Sequence, residues 1–245
     1  MITVKKYNKM EDVLGEALKD FTSKNSSLQA ITVISPGFDD DSIPISYLFR
    51  TLDQMPKVEQ KALALSYGKV LDVGCGAGSH SLILQDYYKL DVEAIDISAG
   101  AIEVSKKRGI LKAHQQNLFE LQETKFDTII MLMNGSGIIG QLSNIDRFFE
   151  HIKTILNPNG QLLLDSSDLA YLYTDDDGGF WVDATAAYYG EMKYKMKYKN
   201  LETDWFDWLY IDYTTLQNAA NANGFVCNII HTGKNNDYLA QIKIA

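Results

Sequence analysis

The sequence predicts an α/β protein: a doubly wound sheet of seven strands, mostly parallel with the last strand antiparallel, carrying an N-terminal helical cap and an inserted β-hairpin. Three observations lead there. From Lys69 onward, short apolar runs alternate with stretches of helical periodicity, the pattern of a parallel sheet with helices on both faces. The first of those runs enters three alternating glycines, Gly74, Gly76 and Gly78, before a helix begins. The last two strand-like runs are joined by a polar turn too short for a crossover, so they must lie antiparallel. The cap then spans residues 1–68 and the core 69–245, with an insertion at about 167–211.

Each element has a local reason. Asn8 and Glu11 resemble a capping box, and Val13, Leu14, Ala17, Leu18 and Phe21 follow at helix spacing. Residues 31–34 are β-branched and the run ends at Pro36-Gly37, a turn signal. Ser42-Ile43-Pro44 is expected to open a second helix reaching about Gln54, and Pro56 a third that stops at Gly68. In the core, strands are expected at 70–73, 92–95, 112–116, 126–132 and 161–165. The fourth is apolar throughout and so buried on both faces. Helices run from Ser79 to about Tyr88 and from the Ser98 cap to Gly109, with Lys106, Lys107 and Arg108 complementing the macrodipole of the second. Another opens at Ser143-x-x-Asp146, with Ile145, Phe148, Phe149, Ile152 and Ile155 on one side, and stops at residues 157–160. Asp212 caps a last helix to Gly224, before strands at 225–231 and 238–244.

The composition narrows the function classes. A chain of 245 residues with 46% hydrophobic and 22% charged residues suits one large core with attachments. The net charge of −9 weighs against a general nucleic-acid or anionic-membrane binder, since phosphates select basic surfaces. Cys75 and Cys227 are too few for a disulfide framework, neither sits in a CxxC, and the first residues have no apolar signal region. No apolar run approaches the roughly 20 residues of a membrane helix. The expectation is a cytoplasmic protein that does not engage a membrane. His80, His114, His151 and His231 are scattered, so no metal site is expected.

The glycine turn carries the chemistry. Alternating glycines permit positive φ and close backbone approach to a ligand, and the helix start offers free N–H groups. Asp96 ends the second strand twenty residues after Gly76, placed to accept both hydroxyls of a ribose across the crevice. Residue chemistry alone therefore gives a nucleoside-containing cofactor. A nicotinamide-dinucleotide fingerprint would need glycine where Ser79 stands. The register is instead DxGxGxG from Asp72.

That run, Leu71-Asp72-Val73-Gly74-Cys75-Gly76-Ala77-Gly78, resembles the first motif of the class I S-adenosylmethionine-dependent methyltransferases. Ala94-Ile95-Asp96-Ile97-Ser98 is similar to their acidic second motif, Gln116-Asn117-Leu118 to the third, and Phe126-Asp127-Thr128-Ile129-Ile130 to the fourth. Residues 156–164 resemble the turn into the fifth strand. Five motifs in order are specific where each alone is weak. The resemblance implies a Rossmann-like methyltransferase fold, S-adenosyl-L-methionine as cofactor, and roles for ten residues. Gly74, Gly76 and Gly78 would pack on its methionine and ribose parts, and Asp72 would help hold its amino group. Asp96 would take the ribose and Ile97 lie against the adenine. Asn117, where family members often have Asp, would bond the adenine amine, and Leu118 would pack on the ring. Met133 and Asn134 would line the methyl-donor pocket.

Methyl transfer from a sulfonium is a direct displacement, so alignment matters more than a catalytic side chain, and none is assigned. Asn134-Gly135-Ser136-Gly137 lacks the prolines and aromatic of the nucleobase and glutamine amine methylators, and neither cysteine is placed as a nucleophile. Asp165 and Asp168, ending the fifth strand, are candidates to orient or deprotonate an acceptor, against a plain role as turn caps. Arg50 is a candidate to reach the cofactor's carboxylate. The acidic runs at 39–41 and 175–177 read as solvated loops.

The insertion is aromatic-rich and includes Trp181, Trp205 and Trp208. Met192, Tyr194, Met196 and Tyr198 alternate with Lys193, Lys195, Lys197 and Lys199, a strand with one apolar and one lysine face. Residues 205–211 would pair back on it. Its apolar face would wall an acceptor pocket or pack on the sheet or a second subunit, giving a homodimer. The expected partner is a small-molecule methyl acceptor and no nucleic acid. The alternatives are a protein or RNA methyltransferase, or an oxidoreductase binding a nicotinamide dinucleotide.

Overall fold

The computed structural model describes residues 11–23, 30–122, 124–173 and 188–245. Asn8 of the expected capping pair, the acidic run 175–177 and Trp181 lie outside the described residues. Helix α1 (Val13–Ser23) takes its cap from Asp12, whose Oδ1 accepts from Gly15 N at 2.9 Å. Strands β1 (Ala30–Ile34) and β2 (Asp41–Pro44) follow and pair antiparallel. The second helix expected from Ser42 does not form. Pro44 has no N–H to give and pushes Ile43 into extended backbone, and Ile43 pairs with Ile31 instead. Two single 3-10 turns follow, Ile45–Phe49 and Leu52–Gln54. The second is closed by a Thr51–Gln54 capping box and ends at extended Met55, again before a proline. Helix α2 (Lys57–Leu65) completes the N-terminal segment.

The core then alternates as expected. It runs β3 (Lys69–Val73), α3 (Ser79–Leu82) widening into a π turn over Ile83–Tyr87, β4 (Asp91–Asp96), α4 (Ala99–Lys107), β5 (Ala113–Gln115), β6 (Phe126–Met131), α5 (Ile145–Ile155) and β7 (Leu156–Ser167). Strand β7 starts earlier than expected, passing through Asn157-Pro158-Asn159-Gly160 with a register shift against β6. The insertion supplies β8 (Glu191–Tyr198), β9 (Leu201–Glu202) and β10 (Phe206–Leu209), and α6 (Tyr213–Ala222), β11 (Phe225–Thr232) and β12 (Asp237–Ile244) close the chain. Caps fall where the residue types place them. Ser98 Oγ accepts from Ala101 N and Asp212 Oδ1 from Thr215 N, each at 2.9 Å and worth about 1 kcal/mol.

The main sheet has the order β11-β12-β7-β6-β3-β4-β5. Strands β3 to β7 pair parallel, and β12 slips antiparallel between β7 and β11. Its two faces are filled separately. Phe126, Ile129 and Met131 of β6 join Phe148, Phe149 and Ile152 of α5 on one side. Ile130 joins Val58, Ala62 and Leu63 of α2 on the other. Strand order reverses between β3 and β6, so their carboxyl ends border a crevice. Among the described residues no helix is long and apolar enough to cross a membrane.

The two attachments build a second sheet together, of order β10-β8-β1-β2 with β9 on β8. Strand β1 pairs with β8 through Thr32↔Lys197, Val33↔Met196 and Ile34↔Lys195. Register therefore puts Ile31, Val33, Ile43, Met192, Tyr194, Met196, Tyr198, Phe206 and Trp208 on one face. Lys193, Lys195 and Lys197 lie on the other, the last two pairing with Glu202. The apolar face packs inward: Ile31 and Tyr198 against α1 and α4, and Trp208 against Gly137 in the turn after β6. Ser136 Oγ lies 2.8 Å from both Ser166 Oγ and the Leu209 carbonyl, fixing β10 to the end of β7.

Helix α1 crosses α4 so closely that a Cβ on Gly100 would fall 2.6 Å from Gly15 Cα. Backbone meets backbone there and neither can yield. Gly100→Ala is expected to lower stability by about 1–3 kcal/mol in chemical denaturation, the usual cost of overpacking.

Candidate active site

The site lies where β3, β4, β6 and β7 end. After β3 the chain turns through Gly74, Gly76 and Gly78 at φ 72°, 52° and 80°, angles that a side chain would strain. Gly74 N and Cys75 N both donate to the Ile95 carbonyl, hooking the turn onto β4. Asp96, 7% exposed, closes the hook: its Oδ2 accepts from Gly76 N at 2.9 Å and its Oδ1 from Ser98 N at 2.8 Å. Each oxygen keeps a lone pair. Burial outweighs these two donors and pushes the Asp96 pKa up to about 6, with Asp12 and Asp72 adding repulsion. Asp12 reaches over from the cap, accepting from Ser98 Oγ at 2.6 Å and Gly100 N at 2.8 Å. Nothing in its sequence context marked it. Beyond Asp96, Ile97 is 63% exposed, a bare apolar side chain at the crevice rim.

Asp72 is buried in β3, where Ser81 Oγ donates to its Oδ2 at 2.5 Å. Burial raises its pKa, against the opposing pull of His80 and Ser81. Asn117 caps the 3-10 turn Leu118–Glu120, its Oδ1 accepting from Phe119 N at 2.9 Å, and Leu118 is buried in the core. Cys75 and Cys227 are buried free thiols, and burial raises both pKa values, that of Cys227 to about 12.

After β6, Met133 and Asn134 are consecutive non-glycine residues at positive φ, 68° and 57°. Such strain persists only where neighbours enforce it. Asp165 enforces it. Its Oδ2 accepts from Met133 N at 3.2 Å and its Oδ1 from Gly135 N at 2.9 Å, while Ser167 Oγ donates to Asn134 Oδ1 at 2.8 Å. Asp165 thus holds the turn after the neighbouring strand, and both its oxygens are engaged. Burial, working against those backbone donors, lifts its pKa to about 6. Asp168 caps the turn that follows β7, accepting from Ala170 N at 2.9 Å and from the Tyr189 hydroxyl at 2.8 Å.

The cap contributes a buried charge cluster. Arg50 Nη2 donates to both oxygens of Glu59, at 2.8 and 2.6 Å, and Glu59 Oε2 lies 2.6 Å from His80 Nε2. The Tyr47 ring stacks on the guanidinium, 3.4 Å from its centroid to Cζ. Among the described residues, Arg50 Nε and Nη1 are buried with no hydrogen-bond partner. Glu59 was missed in the sequence, although its spacing to Ala62 and Leu63 puts it on the buried face of α2.

A methyltransferase-domain family model matches residues 65–236. A crystal structure of an S-adenosylmethionine-dependent methyltransferase from Bacteroides fragilis, in complex with S-adenosyl-L-homocysteine, is 47% identical in sequence. The match covers 98% of this chain and 97% of that one, with a TM-score of 0.90. This chain belongs to the S-adenosylmethionine-dependent methyltransferases. That sets aside the nicotinamide-dinucleotide reading. The methyltransferase also shares its fold with DesVI of Streptomyces venezuelae (16% identity, 82% of this chain and 96% of that one, TM-score 0.59). A second fold relative is the sugar N-methyltransferase KedS8 of a Streptoalloteichus species (13% identity, 100% and 98% covered, TM-score 0.54). No curated protein matches the sequence.

S-adenosylmethionine is the cofactor, and the methyltransferase's donor set fits it. A buried carboxylate with two spare lone pairs suits a diol, an exposed Ile97 suits a flat base, and two orphaned guanidinium nitrogens suit a carboxylate. Among the described residues no cluster of metal-ligating side chains occurs.

The strained turn gives a test. Asp165→Asn should destabilise the protein at pH 5 and below by about 1–3 kcal/mol, because its amide presents a donor to a backbone N–H. The Asp165 carboxyl ionises later in the folded chain than in the unfolded one, so ionisation favours unfolding. The wild-type advantage over the variant should therefore shrink as pH rises from about 4 to about 6 and level off above, by up to about 3 kcal/mol. Denaturation of both proteins across pH checks the sign.

Proposed function

We propose that this methyltransferase methylates a small polar molecule held between the cofactor crevice and the inward face of the cap sheet. One observation carries the reading: the two attachments pair into a single sheet whose aromatic face packs inward on α1, α4 and the turn after β6, with the lysines on the opposite face. Tyr194, Phe206 and Trp208 form a run of ring contacts at 6.3 and 6.2 Å, and the Tyr194 hydroxyl donates to that of Tyr210 at 3.2 Å. Burial raises the pKa of both tyrosines, so they stay neutral hydrogen-bonding groups. Aromatic faces with a few polar groups make a small-molecule pocket. A single-stranded nucleic-acid substrate would instead need the lysines and aromatics in one open groove. KedS8, which shares the fold, is a sugar N-methyltransferase, and its small acceptor agrees with this reading.

The same reading favours a roof over a dimer interface for the hairpin, since Met192 and Tyr198 are already buried within one chain. Two reduced, buried thiols go with a cytoplasmic setting.

Bound S-adenosylmethionine supplies an electrophilic methyl group on its sulfonium. In this proposal the chain's residues bind and align. Gly74, Gly76 and Gly78 let the backbone approach, and Asp96 accepts from the ribose hydroxyls. Ile97 and Leu118 flank the adenine, and Asn117 bonds its amine with the lone pair not used for capping. Asp72 adds negative charge near the amino group, and Arg50 takes the carboxylate. Met133 and Asn134, held rigid by Asp165, border the methyl. Asp165 and Asp168 shape these turns; acceptor contact falls to the cap face.

Incubating the enzyme with radiolabelled S-adenosylmethionine and a cell extract tests the acceptor class. Label is expected in the low-mass filtrate; label confined to protein or RNA would contradict it. The ribose assignment predicts a proton signature. Binding S-adenosylhomocysteine favours ionised Asp96, so affinity should rise from pH 5 to 7 with proton release near pH 6, read by calorimetry in buffers of different ionisation heat. Asp96→Asn should abolish that release and weaken binding at pH 7.5 by roughly tenfold, the cost of one charge-assisted hydrogen bond.

A further inference from the structure

Arg50 can serve the cofactor only if something fixes its guanidinium. A plain structural ion pair with Glu59 would set two guanidinium nitrogens against two carboxylate oxygens, the favoured fork. Here one nitrogen, Nη2, takes both oxygens, and among the described residues Nε and Nη1 have no hydrogen-bond partner and are buried from water. The side chains are 6% and 3% exposed, so the unmade bonds are costly unless a ligand completes them. Tyr47 covers one face of the guanidinium and Glu59 fixes one corner. The free donors are thereby directed.

Glu59 is held in turn. His80 Nε2 lies 2.6 Å from Glu59 Oε2, and His80 belongs to the first turn of α3, two residues after Gly78. The chain of contacts therefore runs from the cofactor turn through His80 and Glu59 to Arg50. It links a core helix to the cap segment that precedes it in sequence. We propose that Glu59 and His80 are positioning residues, aiming the free nitrogens of Arg50 at the carboxylate of bound S-adenosylmethionine. The proposal rests on the reading of this site as that cofactor's.

Charge supports the assignment. Arg50 and Glu59 alone cancel, so a neutral His80 would offer an anion little. Burial disfavours the imidazolium, yet the Glu59 hydrogen bond and the field of Asp72 outweigh it and raise the His80 pKa. The groups facing His80 are Glu59 of α2, Asp72 of β3, Arg50 of the cap and, more distantly, Asp165 of β7. A protonated His80 adds one positive charge beside the Arg50–Glu59 pair. As pH rises, loss of that proton removes positive potential from the cluster. Affinity for a carboxylate-bearing ligand should then fall relative to a ligand without one.

The experiment compares S-adenosylhomocysteine with 5′-methylthioadenosine, which keeps the ribose and adenine but has no carboxylate. Dissociation constants are measured by calorimetry on the full chain and on Arg50→Gln, Glu59→Gln and His80→Gln, between pH 6 and 9. Because both ligands carry the ribose, any effect of Asp96 cancels in the ratio. Glu59→Gln and His80→Gln should each weaken S-adenosylhomocysteine by roughly tenfold while leaving methylthioadenosine within about twofold. His80→Gln should also flatten the pH dependence of the ratio. Unchanged S-adenosylhomocysteine binding in both variants overturns the proposal, as does equal loss of both ligands, which marks a purely structural role. Arg50→Gln separates the layers. If it spares S-adenosylhomocysteine, the carboxylate assignment itself fails; if it alone is selective, only the positioning role fails.

Discussion

Everything above the main sheet depends on the pairing of β1 with β8. Three residue pairs join strands about 160 positions apart, and they convert two unrelated attachments into one roof. The register matters as much as the pairing. A slip of one residue would turn Tyr194, Met196 and Tyr198 to solvent and bring Lys193, Lys195 and Lys197 over the crevice. With this register the apolar face lies inward and the lysines sit outside, Lys195 and Lys197 paired with Glu202 and screened by water. The strand also brings its neighbours. Asp12 reaches α4, and Arg50 arrives beside the helix that follows the glycine turn, because the segment between them is tied into the roof.

Beneath that roof the protein buries many charges. Asp72, Asp96, Asp165, Arg50, Glu59 and His80 are all nearly inaccessible, and three of the six lie on strands that end at the crevice. Replacing a buried ion pair with hydrocarbon is often neutral or stabilising, so stability alone does not explain the cluster. Its members divide by what they touch. Asp165 spends both oxygens on a strained turn and acts as scaffold. Asp96 spends half of its capacity on backbone, and Arg50 only one nitrogen. The unspent capacity of these two is where a ligand with a diol and a carboxylate would complete the structure.

Much of this was legible in the sequence, for a physical reason. The core elements follow from local periodicity and caps: Ser98, Asp212, the apolar side of α5 and the three glycines each act within a few residues. Asp96 was legible because a strand end at a fixed distance from a glycine turn has one geometry. What failed was non-local or concerned proline. Pro44 reads as a helix opener but sets Ile43 extended, and Ile43 then finds Ile31. The two attachments read as separate because nothing local reports that β1 will find β8. Asp165 was placed beside the acceptor by its strand end, but its neighbour's turn claims it. Glu59 was hidden because a glutamate in an amphipathic helix ordinarily faces water.

In the proposed arrangement a roofed crevice holds S-adenosylmethionine between Asp96 and Arg50, with the reacting end toward the cap sheet. A crystal structure with S-adenosylhomocysteine bound tests it most directly. The claim predicts the ribose hydroxyls on Asp96, the carboxylate on Nε and Nη1 of Arg50, and the sulfur facing Tyr194, Phe206 and Trp208. A carboxylate turned away from Arg50, or a sulfur facing away from the cap sheet, would contradict it.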